Sequence, residues 1–120
     1  MYCAESPAAA LLETLVHFEI ELRDLPARHR LLRIHAPDDV RLEQVVVDEL
    51  PRDWPDKPNV TRPIGDHWLR AGSTAMLRVP SVLVPETFNV LLNPVHADAQ
   101  RIAVARVSDH AIDPRLLSDD

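Results

Sequence analysis

The chain has 120 residues, a hydrophobic fraction of 46% and a net charge of −6, which suits one domain with its own core. Its 13 basic residues are scattered, with Lys57 the sole lysine, so no positive stripe is present to track a nucleic-acid backbone. No apolar run approaches the roughly 18 residues of a membrane span, and the N-terminus lacks the basic-then-apolar order of a signal peptide, so the expectation is a cytoplasmic protein off the membrane.

Ser6 and Pro7 mark a helix start: Ser6 can cap it, and Pro7 suits the first helical position because its missing N–H has no intrahelical duty there. Leu11, Leu12, Leu15, Val16, Phe18 and Leu22 follow a helical period, which predicts a helix from Pro7 to Arg23, ending before Pro26. Arg30 to His35 reads as a strand and Pro37-Asp38-Asp39 as a turn. Leu42 to Val47 admits two readings: Val45-Val46-Val47 favours strand, whereas Asp39 as a cap with Leu42 and Val46 favours a short helix.

Leu50 to Pro63 holds Pro51, Trp54, Pro55, Pro58 and Pro63 and reads as a long irregular segment, a kind of loop that is often functional. A short helix is expected from Ile64 to Ala71, stopped by Gly72, with Trp68 and Leu69 facing the core. Strands are expected at Thr74–Val79, Phe88–Asn93 and Ile102–Val107, followed by a polar tail from Asp109 that frays beyond Leu116 or Leu117. The 11 prolines exclude a helical bundle or coiled coil and favour an α+β domain spanning residues 1–120, without repeats.

Several chemistries lack their residues. With only Gly65 and Gly72, a glycine-cradled phosphate site of the Rossmann or P-loop kind is ruled out. His17, His29, His35, His67, His96 and His110 form no pair at metal-ligand spacing, and no metal is expected. Cys3 is alone, so it has no internal disulfide partner and reads as a small buried hydrophobe. Ser81 follows Pro80, which does not fit a nucleophile elbow.

The polar residues of the later strands stand out. Leu77-Arg78-Val79-Pro80-Ser81 and Phe88-Asn89-Val90-Leu91-Leu92-Asn93-Pro94-Val95-His96 are mostly apolar, yet they carry a hydroxyl, two amides and an imidazole. Buried polar groups need partners, so such a cluster is either a structural knot or a small-molecule site. Arg78, in an apolar strand, calls for an anion, either a carboxylate or a substrate phosphate. Glu13 and His17 lie one turn apart on one helix face, where they form either a simple i,i+4 pair or part of a site. From the residues alone Ser81 reads first as a turn serine after a strand, and for Asn93 before Pro94 the stronger reading is a cap on loop backbone.

Four stretches, in order, resemble the RES domain family. The first is Met1-Tyr2-Cys3-Ala4-Glu5-Ser6-Pro7-Ala8-Ala9-Ala10-Leu11-Leu12-Glu13 with Val16-His17, and the second is Thr61-Arg62-Pro63-Ile64-Gly65-Asp66-His67-Trp68-Leu69. The third is Ala75 to Pro85 and the fourth Asn89 to His96, with Ile112-Asp113-Pro114-Arg115-Leu116 closing the domain. The combined pattern is specific, although no single piece is. The family is named for an arginine, a glutamate and a serine, and Glu13 and Ser81 match the last two. Its arginine lies upstream of the tyrosine strand in other members, so the chain reads as N-terminally shortened, and Arg62 and Arg78 are not carried into that role.

The resemblance implies an ADP-ribosyltransferase-like fold. It also implies a toxin of a type II toxin–antitoxin system that consumes NAD at the nicotinamide–ribose bond, by hydrolysis or phosphorolysis. NAD is then a substrate, and no cofactor is expected. Glu13 would be the catalytic carboxylate; Tyr2, Ser81, Asn89 and Arg78 would bind the substrate; His17, Asn93 and His96 would support them. The partner implied is a helix-turn-helix antitoxin of the Xre type, with a homodimer as a further assembly. Two alternatives stay open: an inactive relic serving as a protein-interaction module, and an enzyme that transfers ADP-ribose to a protein.

Overall fold

The computed structural model describes residues 1–17 and 28–117. The chain opens with strand β1 (Tyr2–Ala4) and turns at once into helix α1 (Pro7–His17). Ser6 caps this helix as its sequence suggests: its Oγ accepts from the Ala9 N–H at 3.1 Å, and its carbonyl accepts from the Ala10 N–H. The predicted end of the helix, with Phe18, Leu22 and Pro26, lies outside the described residues.

Strand β2 (Arg28–His35) leads through the Pro37–Val40 turn to strand β3 (Leu42–Gln44). The ambiguous segment is strand rather than helix, but the strand falls on Leu42–Gln44 and not on Val45-Val46-Val47; Asp39 caps no helix there, and a 3-10 turn at Val47–Glu49 follows. Helix α2 (Pro58–Ala71) starts six residues earlier than the sequence suggests. Pro58 takes the tolerated first helical position, and Pro63 sits inside the helix. The irregular segment therefore ends at Lys57, and it includes a 3-10 turn at Trp54–Asp56. Gly72 closes α2 in the left-handed region at φ 62°, its N–H bonded to the Trp68 carbonyl.

Strands β4 (Met76–Pro80) and β5 (Phe88–Leu92) follow, and β6 (Ala103–Ala111) extends past the expected Val107 to take in Asp109 from the expected tail. A 3-10 turn at Pro114–Leu117 ends the described chain. The fold is α+β. One sheet has the order β1-β5-β4-β3, with β3 parallel to β4 and the other neighbours antiparallel. β2 and β6 form a separate antiparallel ribbon, with a register shift between Arg33 and Ile34.

Directly opposed residues of neighbouring strands share a face. The register therefore puts Tyr2, Leu91 and Leu77 in one row, with Ala4, Asn89 and Val79 beside them on the same face. Cys3, Val90 and Arg78 point to the other side, as do Met76 and Leu92. Val40, Trp54, Trp68, Ala75 and Leu77 form the buried apolar core, each large side chain worth roughly 1.5–3 kcal/mol of burial. Trp68 is held as well as packed: its Nε1–H donates to Thr74 Oγ1 at 2.9 Å, and Thr74 donates to the Met76 carbonyl. Leu69, expected in the core, is 47% exposed and lines a pocket instead. Among the described residues no helix is long and apolar enough to cross a membrane.

Candidate functional site

α1 and β5 bring Glu13 and Asn89 together across 76 positions of sequence. The tight step from β1 into α1 aims the helix back over the sheet, so a residue in its second turn meets the middle of β5. Ser81 Oγ donates to Glu13 Oε1 at 2.9 Å, and Asn89 Nδ2 donates to the same oxygen at 3.0 Å. Asn89 Nδ2 also donates to Tyr2 Oη at 2.7 Å. Four of the residues singled out in the sequence thus form one hydrogen-bonded cluster.

Burial is graded across it. Asn89 is 1% exposed and Ser81 3%, whereas Tyr2 is 49% exposed. The amide and the hydroxyl are the buried members of the cluster, and the phenol is its exposed one. Ser81 is fixed from behind as well, because its Oγ accepts the N–H groups of Leu83 at 3.2 Å and Val84 at 3.4 Å. The residue is therefore both a turn serine and a partner of Glu13. Burial, reinforced by the nearby Glu13 charge and partly offset by the Asn89 amide, pushes the Tyr2 phenol above its ordinary range.

The remaining candidates are placed elsewhere. Arg78 lies on the opposite face of β4, its guanidinium 3.7 Å from the centre of the Phe88 ring and 3.6 Å from Glu5 Oε2. Its anion is a carboxylate of the chain. Glu5 itself was not singled out in the sequence; besides Arg78 it accepts the Phe88 N–H at 3.2 Å and so ties the β1–α1 turn to β5. Asn93 is 1% exposed and caps loop backbone, its Oδ1 accepting the Val95 N–H. Its Nδ2 is buried and has no hydrogen-bond partner among the described residues. His96 also serves backbone: its Nδ1 accepts the Asp98 N–H and caps the 3-10 turn Ala97–Arg101. His17 ends the described part of α1, and its side chain lies outside the described residues.

Among the described residues, two cavities adjoin Tyr2. One, of about 600 Å³, opens between α2 and the sheet and is lined mainly by apolar groups, among them Trp54, Ile64, Trp68, Leu69 and Leu91, with Tyr2 on its rim. The other, of about 970 Å³, lies between β1 and the β2–β6 ribbon, where Cys3, Val90 and Leu92 face Leu31, Ile34 and Arg106. Glu13, Ser81 and Asn89 line neither, and Tyr2 touches both. Periodicity in the sequence could have marked Trp54 and Ile64 as apolar, but not as walls of a cavity. Burial raises the Cys3 thiol above its ordinary range, which suppresses the reactive thiolate. Among the described residues, no group of three or more His, Cys, Asp or Glu side chains is placed to hold a metal ion.

The arrangement presents an oriented carboxylate, with a phenol beside it at the surface. Such a pair can stabilise positive charge developing on a bound ligand while a hydroxyl contacts the ligand's polar edge. Comparison with known proteins gives this geometry its context. The chain is 42% identical to a protein named Toxin Res from Pseudomonas putida, over 97% of this chain and 78% of that one. It is 39% identical to the Prs ADP-ribosylating toxin of a Sphingobium species, over 98% of this chain and 74% of the relative. A Toxin Res from Yersinia enterocolitica is 37% identical, over 97% and 76%. The RES domain profile matches residues 1–115, and the chain belongs to the RES domain family.

Proposed function

We propose that this protein is a toxin that cleaves NAD at the nicotinamide–ribose bond. The observation that carries the reading is the Glu13 carboxylate, oriented by Ser81 and Asn89 next to the half-exposed Tyr2. Departure of nicotinamide leaves positive charge on the ribose. A carboxylate fixed in advance stabilises that charge without having to reorganise during the reaction. Water then adds at the ribose carbon and loses a proton, giving ADP-ribose; phosphate in place of water gives the phosphorolysis product. Ser81 acts by orienting Glu13, since its hydrogen is already given to the carboxylate and its oxygen accepts two backbone N–H groups. The names of the relatives support the toxin role.

The 39% identity to an ADP-ribosylating toxin favours a second reading, in which the acceptor is a protein nucleophile. The partner proposed is an Xre-type helix-turn-helix antitoxin that covers the site. The test is loss of NAD by the purified protein, with and without phosphate, against Glu13→Gln. Loss of the carboxylate should lower the rate by about 10²- to 10⁴-fold. NAD consumption by Glu13→Gln equal to that of the native protein would sink the assignment. Radiolabel from NAD appearing in a co-incubated protein would favour the second reading over hydrolysis.

A further inference from the structure

The amide of Asn89 has both of its hydrogens committed. Its Nδ2 stands 3.0 Å from Glu13 Oε1 and 2.7 Å from Tyr2 Oη. A carboxylate only accepts, so the end of the amide facing Glu13 is the NH2 group. That settles the second bond, because an amide nitrogen does not accept. Tyr2 Oη is the acceptor from Asn89, and the phenolic hydrogen points elsewhere. No acceptor for that hydrogen is found among the described residues. The Ser81 hydrogen, by contrast, is spent on Glu13. Tyr2 is therefore the member of the cluster left with a hydrogen to donate, and it is also the exposed one.

We propose that Asn89 is a positioning residue which, through one buried amide, holds Glu13 as an acceptor and sets Tyr2 as the donor to the ligand's nicotinamide carbonyl or ribose oxygen. The ligand half of this inference rests on the proposed NAD activity. A side chain that only satisfied the core would not need to bridge two functional groups of unlike exposure. The bridge also makes the two interdependent: moving the phenol disturbs the carboxylate through a single nitrogen.

Tyr2 is the only tyrosine of the chain, so the phenolate absorbance belongs to it alone. Its titration midpoint should rise in Asn89→Leu, which removes a donor to the phenolate, and fall in Glu13→Gln, which removes a repelling charge. Because Asn89→Leu buries an apolar group against a carboxylate and can fail to fold, the native protein supplies a second readout. Its Asn89 side-chain amide should give two slowly exchanging NMR signals, one moved by Tyr2→Phe and the other by Glu13→Gln. Signals that respond to neither substitution overturn the bridge. Tyr2→Phe should raise the KM for NAD about five-fold, as expected for one hydrogen bond, with a smaller effect on kcat. An unchanged KM overturns the donor role. Failure of the native protein to bind or consume NAD overturns the proposed function and the ligand half of this inference, while the NMR result judges the bridge separately.

Discussion

Replacing Ser81 by alanine removes one hydroxyl and three hydrogen bonds. Its bond to Glu13, at 2.9 Å from a residue only 3% exposed, is charge-assisted and shielded, and such bonds are worth about 1.5–3 kcal/mol. The bonds from the Leu83 and Val84 N–H groups are neutral and longer, at 3.2 and 3.4 Å, so they contribute less than the bond to the carboxylate. The net loss should be about 2 kcal/mol, or roughly 8 °C in Tm for a domain of this size. Urea unfolding followed by tryptophan fluorescence is a suitable assay, because Trp54 and Trp68 are both buried and report global unfolding. A double-mutant cycle with Glu13→Ala should give a coupling of about 1–2 kcal/mol. A loss under about 0.5 kcal/mol, the range of ordinary surface changes, or a strictly additive cycle would refute the claim that Ser81 secures Glu13.

The Trp68–Thr74 pair offers a sharper packing test: Thr74→Val keeps the shape but strands a buried indole N–H, and should cost about 1–3 kcal/mol in urea melts, with Thr74→Ser keeping most of it. The two glycines should respond in opposite directions. Gly65 lies inside α2 with open space where a Cβ would go, so Gly65→Ala should stabilise by up to about 1 kcal/mol, whereas Gly72→Ala at φ 62° should destabilise by about 1 kcal/mol in thermal melts. Arg101 holds the Asp39 carboxyl below its ordinary range. The contribution of that ion pair is therefore complete above the unfolded carboxylate range and fades as pH falls through the lowered value. Both groups are exposed, so the stability difference between native and Asp39→Asn should be small, should vanish in acid and should shrink with added salt.

Local chemistry was the legible part of the sequence. The Ser6–Pro7 start of α1 and the Gly72 stop of α2 are rules that act within a few residues, and both hold. The start of α2 is not legible in the sequence, because a proline ends a helix in its interior but is favoured at its first position. Pro58 stands where a proline is favoured, and Pro63 forfeits the bond its N–H would have made to the Asn59 carbonyl in a helix anchored by buried Trp68. The meeting of Tyr2, Glu13, Ser81 and Asn89 followed from the family resemblance, since nothing local links a helix to a strand 76 positions away. Arg78 shows what the resemblance lacked. Strand alternation puts Val79 on the face shared with Asn89 and turns Arg78 to the other side, but that inference needs the pairing register, which only the fold supplies.

The strand pairings join segments that are made far apart in time. β1 has no partner until β5 emerges, and β2 has none until β6 does. At a ribosomal rate of about 5–20 residues per second, the 76 positions from Glu13 to Asn89 take about 4–15 s to synthesise. During that interval the carboxylate and the groups that orient it are on separate, unpaired lengths of nascent chain. The cluster of Tyr2, Glu13, Ser81 and Asn89 therefore forms only after β5 has been made.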